Sequence, residues 1–263
     1  MTGASHISYF NLFVYLLLIT IPVLIFLYLR IKLLKRLIIA VVRMVVQLGF
    51  VAVYLEYIFK LNNPLVNTLW IVIMVLVANQ AILRQSGLKF RMFFLSTMPA
   101  YFISIAFIFL TFFIVLDIHV LFSARYLIPL GGMILGNILR GNIISLDRFY
   151  HSLSKRQDEY IFYIAMGASV HEALKPFMAE AIKAAVSPYI ATVATMGLVS
   201  LPGMMTGQIL GGASPLIAIQ YQIMIMVAIF VTSTVSTVLV LIFSSARAFD
   251  SYGRLKQTIF ISE

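Results

Sequence analysis

Residues 198–215 read LVSLPGMMTGQILGGASP, and they gather groups able to touch a polar cargo. Met204 and Met205 carry soft, polarizable thioethers, while Thr206 and Gln208 add a hydroxyl and an amide. Pro202 removes a backbone donor, so a helix running through it bends or breaks. A broken helix at membrane depth survives where it is buried in protein or lines a cavity. These four side chains are therefore candidates for a transport pathway, and Glu56 is a fifth, because carboxylates are costly in a membrane. Thioethers are soft ligands, but two methionines in an apolar segment more often pack than bind metal, and no metal-ligand set is assigned.

Other chemistries are excluded. The chain has no cysteine, which removes disulfides, thiolate metal sites and cysteine nucleophiles. It lacks a His-Glu-x-x-His helix, a G-x-S-x-G elbow and a Walker A lysine loop. No catalytic residue is expected, and the chain is not itself expected to be an enzyme. Asp117 and His119 alone are too few to hold a metal. No apolar stretch carries a central Asp, Glu or His, so a proton or sodium relay is missing. Arg43 lies close enough to one end of its stretch to snorkel. Gln47, Asn79, Gln80, Asn137, Asn142, Thr192 and Thr195 are expected to bond across helices.

The elements that position these residues follow from composition. The 263-residue chain is 62% hydrophobic and 11% charged, far from the half-apolar, quarter-charged norm of soluble domains. Ile7–Leu29, Leu61–Leu83 and Met92–Leu116 contain no Asp, Glu, Lys or Arg. Each exceeds the roughly 20 residues a helix needs to cross the hydrocarbon. The expected fold is an all-α integral membrane protein with seven spans near 8–29, 37–59, 64–83, 92–116, 126–146, 188–210 and 216–243. The first reads as a retained span, since no basic n-region or cleavage site accompanies it. Of nineteen lysines and arginines, all but Lys60, Arg125 and the intramembrane Arg43 fall on one face. That face is cytoplasmic by the positive-inside rule, so the N-terminus is outside and the C-terminus inside. The net charge of +10 sits between spans, which assigns it to topology and not to nucleic acid.

One connection is long, the cytoplasmic segment 147–187. Gly167 suits a left-handed helix cap. Ser169 and Glu172 have capping-box spacing, and Pro176 suits the first turn of a further helix. The reading is a helix to about Met166, a short helix Val170–Lys175, and a new helix from Pro176. The short helix presents His171, Glu172 and Lys175 on one side and Val170, Ala173 and Leu174 on the other. It is either a solvated turn or a docking element. Gly203, Gly207 and Gly211 share one helical face, and Gly132 and Gly136 form a second seam. Such seams allow close helix approach, within the chain or between subunits.

The stretches IPLGGMILGN at 128–137, YIAMGAS-x-x-EA at 163–173 and GLVSLPGMMTGQILGGASPLIAIQYQI at 197–223 resemble the iron-export ABC permease family. That family is FetB-like in bacteria, and a plant aluminium-tolerance branch is similar to it. The resemblance implies one permease domain over 1–263, paired as a homodimer in the cytoplasmic (inner) membrane. It implies a separate cytoplasmic ABC ATPase subunit that holds ATP and Mg, so this chain itself binds no cofactor. It also implies ATP-driven export, with iron as the bacterial cargo. Gly167, Ser169, Val170, His171, Glu172, Leu174 and Lys175 would then form the coupling helix. A stand-alone channel or secondary transporter for a small polar solute is the alternative.

Overall fold

The computed structural model describes residues 7–199, 201–250 and 253–260. Among them the chain is helical, with only two isolated β-bridges. Six helices are long and apolar enough to cross a membrane. They are α1 (Tyr9–Tyr28), α2 (Leu34–Leu61), α3 (Pro64–Gln85), α4 (Phe90–Phe112), α5 (Ala124–Lys155) and α9 (Pro215–Ala248). Between α5 and α9 lie α6 (Gln157–Ala165), α7 (Val170–Thr195) and α8 (Gly203–Leu210).

The boundaries have local causes. Asn62 ends α2 with a left-handed backbone, φ 40°. Asn63 then accepts from the Leu65 amide, and Pro64 opens α3 at a position where no amide is needed. Gly87, at φ 72°, turns the chain between α3 and α4. Gly167, at φ 94°, ends α6 as the sequence predicts.

Helices α3, α4, α5, α7 and α9 pack around one core that includes Ile82, Phe93, Tyr101, Phe149 and Phe177. Helices α1 and α2 lie at its margin, with Ile58 buried against Ala124 and Ile128. Their remaining apolar surface suits lipid. The side-chain pairings give the directions. Asn67 donates to the Phe122 carbonyl at 3.0 Å and Gly131 lies on Ile71, so α3 and α5 run parallel. Tyr126 meets Tyr221, and Asn142 meets Ser236, so α5 and α9 also run parallel. Arg148 pairs with Glu180 and Tyr189 with Asn137, so α7 is antiparallel to α5.

Three sequence expectations change. The helix of span five, expected to leave the membrane near 146 and run on to about Met166, is interrupted at Arg156, where α5 ends and α6 begins. The short helix Val170–Lys175 is the first part of the continuous 26-residue α7, which holds both Pro176 and Pro188 in its interior. A proline there costs about 3 kcal/mol. Burial of Leu174 and Phe177, at 2% and 1% exposure, is worth about 1.5–3 kcal/mol each, which outweighs it. The stretch expected as one span at 188–210 is discontinuous, since α7 stops at Thr195 and α8 restarts at Gly203.

Candidate functional site

The break follows from backbone chemistry. Met196 leaves the helix with an extended backbone, and Gly197 adopts φ +86°, a conformation suited to glycine. Pro202 is extended and N-caps α8. Thr206 donates its hydroxyl to the Pro202 carbonyl at 3.1 Å, which closes the first turn.

A cavity of about 290 Å³ opens at this break. Helix α5 supplies Met133, Asn137 and Arg140 to its wall, α7 supplies Tyr189 and Thr192, and Met196 follows at the break. Pro202 and Met204 come from the break and α8, and Gln222 and Met226 from α9. Several polar groups are already engaged. Tyr189 donates to the backbone carbonyl of Asn137, Asn137 Nδ2 to the Met133 carbonyl at 2.8 Å, and Thr192 to the Pro188 carbonyl at 2.8 Å. Gln222 differs: it is 5% exposed, and neither its amide nitrogen nor its oxygen has a partner. Toward the arginine-rich end of α5 lies an open cleft of about 820 Å³, bordered by Gln85, Asp147, Arg148, Glu180, Lys183 and Ser187. Ile144 borders both spaces, so the cleft lies next to the cavity at the break.

Of the predicted pathway residues, Met204 lines the cavity. Met205 is buried in packing, and Thr206 is spent on its cap. The Gln208 side-chain oxygen is buried and unpaired, but the residue is not part of the lining. Glu56 pairs with Lys60 at 2.8 Å on the exposed face of α2, outside the cavity. Sequence reasoning missed Arg140 and Gln222. Arg140 was counted only as a topological charge, although it stands eight residues inside Arg148 on the same helix.

The glycines divide in a way their spacing does not show. A Cβ on Gly131 would lie 2.4 Å from Ile71 Cδ1, and one on Gly141 would lie 3.2 Å from the Tyr189 hydroxyl. These two are the tight approaches. Gly132 comes near only Met74 Cε, at 3.3 Å. Among the described residues a Cβ on Gly136, Gly203 or Gly207 would meet nothing within 4 Å, and one on Gly211 would meet only carbonyls of the preceding turn.

The other end of α7 forms a rigid corner. The capping box is complete. The Ser169 amide donates to Glu172 Oε2 at 2.8 Å, and the Glu172 amide donates to Ser169 Oγ at 3.3 Å. The Ser169 hydroxyl, then its amide, holds the Glu172 carboxyl below its usual range. His171, Glu172 and Lys175 are exposed. Ala173 and Leu174 are buried anchors. Exposed Phe162, Met166 and Val170 add an apolar edge beside Gly167. Glu180 takes both Arg148 and Arg156, and Arg156 also stacks 4.8 Å over the Phe177 ring. The C-terminal segment braces the corner. Tyr160 donates to the Gly253 carbonyl at 2.7 Å, and the Lys89 amide donates to the Ile259 carbonyl at 2.8 Å.

Among the described residues no group of three or more His, Cys, Asp or Glu is placed to hold a metal ion. The side chain of His119 lies outside the described residues.

Residues 9–249 match the family model described as "Uncharacterised protein family (UPF0014)". The chain is 32% identical to UPF0014 membrane protein slr1647 of Synechocystis, over 83% of each chain. It is 28% identical to "Probable iron export permease protein FetB" of Escherichia coli, over 97% of this chain and 98% of that one. It is also 36% identical to Protein ALUMINUM SENSITIVE 3 of Arabidopsis thaliana, over 44% of this chain and 43% of that one. No solved structure matches. With its several membrane-length helices and a match over nearly its whole length, the chain belongs to the UPF0014 family of membrane proteins.

Proposed function

We propose that this chain is the membrane permease subunit of an ABC transporter in the cytoplasmic membrane. It works as a homodimer with a separate cytoplasmic ATPase that binds ATP and Mg, and it carries out no covalent chemistry itself. The permease name of the Escherichia coli relative supports transport, and its iron supports metal export as the direction and cargo.

One observation carries the reading. Helix α7, about 39 Å long at 1.5 Å per residue, joins the capped corner at Ser169 to the cavity at the break. Force applied at the corner by an ATPase is delivered where a cargo would sit. Exposed Phe162, Met166, His171, Glu172 and Lys175 give that ATPase an apolar and charged surface. The chain then crosses seven times, with the N-terminus outside. The parallel directions of α5 and α9 support this, because they need one return between them, and α7 with α8 is that return.

ATP binding would close the two ATPases and tilt α7, opening the cavity to the far side. The test is affinity capture of the tagged, full-length chain from its native membrane, followed by transport in inverted vesicles. An ATPase with a Walker A motif should co-purify. Glu172→Arg should abolish both its retention and ATP-dependent uptake. Capture of no ATPase, with transport unaffected by Glu172→Arg, leaves the stand-alone channel or secondary transporter as the reading.

A further inference from the structure

The cavity at the break has a charge character that narrows its cargo. Arg140 lines it and brings a positively charged, planar guanidinium. Arg140 forms no ion pair among the described residues. No Asp or Glu lines the cavity. Two carboxylates, Asp147 and Glu180, border the adjacent cleft, which shares Ile144 with the cavity. There Glu180 is already shared by Arg148 and Arg156, and Asp147 is accompanied by Lys183. The charges of the adjacent cleft are therefore balanced, and the cavity's own lining charge is positive.

A second observation is independent of charge. Gln222 is buried with both ends of its amide unpartnered. Buried amides are almost always hydrogen-bonded, so one left open on a cavity wall points to a polar group that enters from outside the chain. Four methionines, Met133, Met196, Met204 and Met226, also line the cavity. Thioethers conform to varied shapes but supply no charge.

A bare divalent cation fits this poorly. Hard or borderline ions take carboxylate, imidazole or carbonyl ligands, and here a fixed positive charge faces them. A planar guanidinium instead matches the two-oxygen edge of a carboxylate or phosphate.

We propose that the cavity takes an anionic group, a carboxylate or phosphate, with Arg140 as its counter-charge and Gln222 as a neutral hydrogen-bonding partner. The anion is either the cargo itself or the ligand shell of a complexed metal ion. The proposal rests on the reading that the break lies on the transport path, and it sharpens the substrate class of that site.

The test is equilibrium binding to the purified full-length chain in lipid nanodiscs, with no ATPase present. The probes are citrate, pyrophosphate, iron(III) citrate and iron(II). At least one anionic probe should bind. Arg140→Gln should weaken it by about tenfold or more, while Arg140→Lys, which keeps the charge, should lose less. Gln222→Leu should weaken it by a few fold. Iron(III) citrate binding without citrate identifies a complexed metal, and citrate or pyrophosphate binding alone identifies a free anion. Binding of iron(II) unaffected or tightened by Arg140→Gln overturns the proposal, as does failure of every anion to bind. If Arg140→Gln does not fold, the probe contrast in the unaltered chain and the lysine variant still decide. Because no ATPase is used, loss of the ATPase partner leaves this result standing. A co-purifying ATPase without anion binding would retain the permease reading and remove this one.

Discussion

Asn142→Leu tests the contact that fixes α5 and α9 in parallel. Asn142 is fully buried. Its Nδ2 donates to Ser236 Oγ at 2.7 Å, and its Oδ1 accepts from Thr237 Oγ1 at 3.2 Å. Leucine has a similar volume, so the change removes two interhelical hydrogen bonds and leaves no sizeable void. Such bonds in membranes average about 0.6 kcal/mol and reach about 1.7 kcal/mol, so two should contribute about 1.2 kcal/mol. The stranded hydroxyls of Ser236 and Thr237 can turn back to carbonyls four residues earlier on α9, which limits the further penalty. The expected loss is about 1–2 kcal/mol. It is read from reversible unfolding of the purified chain in mixed micelles, titrated with a denaturing detergent. Adding Ser236→Ala and Thr237→Val should recover stability to within about 0.5 kcal/mol of the original, because an entirely apolar seam strands nothing. A single variant within about 0.3 kcal/mol of the original, or a triple variant less stable than the single, would refute the reasoning.

Gly131→Leu should cost about 1–3 kcal/mol through overpacking against Ile71, whereas Gly136→Leu should stay within about 0.5 kcal/mol, measured in the same unfolding assay. Ser169→Ala should raise amide exchange several-fold over residues 170–173 while leaving core amides of α7 protected, since it removes the cap that accepts from Glu172. The Glu172 carboxyl is held low in the folded chain, so its contribution is fully present above the ordinary carboxylate pKa, about 4.3. That contribution is lost as pH falls through the lower folded value, and NMR of the Ser169 amide should titrate there. Titration at the ordinary value would mean that the capping box does not form in solution. Met204→Leu should alter cargo-stimulated ATPase activity of the assembled transporter, while Met205→Leu, buried away from the cavity, should not. Equal effects from both would remove Met204 from the cargo wall.

The sequence made some features readable because they are local. The Ser169–Glu172 cap and the Gly167 turn each depend on residues within a few positions and form as the spacing predicts, whereas the break expected at Pro202 opens six residues earlier, at Met196. The Pro176 boundary failed for a reason of another kind. Proline marks a helix start only when nothing pays for its missing bond, and buried Leu174 and Phe177 on either side of it do so here. Glycine spacing gave faces but not neighbours. A Cβ added at Gly203 or Gly207 would meet nothing within 4 Å among the described residues, and the tight positions are Gly131 and Gly141, which belong to no repeat. Contact depends on which helix stands opposite, and periodicity within one helix does not carry that.

Arg140 shows the same limit at the site itself. On one helix its position matches that of any positive residue near the end of a span. It becomes a cavity residue because α7 breaks at Met196 and leaves room beside it, and because Gln222 on α9 arrives at the same level. Three helices must be in register for that, and the register is set elsewhere. Glu180 holds α7 to Arg148, the Tyr189 hydroxyl holds it to Asn137, and Asn142 holds α9 to α5. Two of these ties connect α7 to α5 on either side of Arg140, one near the corner and one beside the cavity. Under the proposed coupling, a tilt of α7 driven at Ser169 would loosen the Glu180 pairs with Arg148 and Arg156 before the Tyr189 tie, because partly solvated pairs are weak. The buried tie at Tyr189 would then act as the fulcrum, and the cavity beyond it would change shape while the core of α5 and α9 stays fixed.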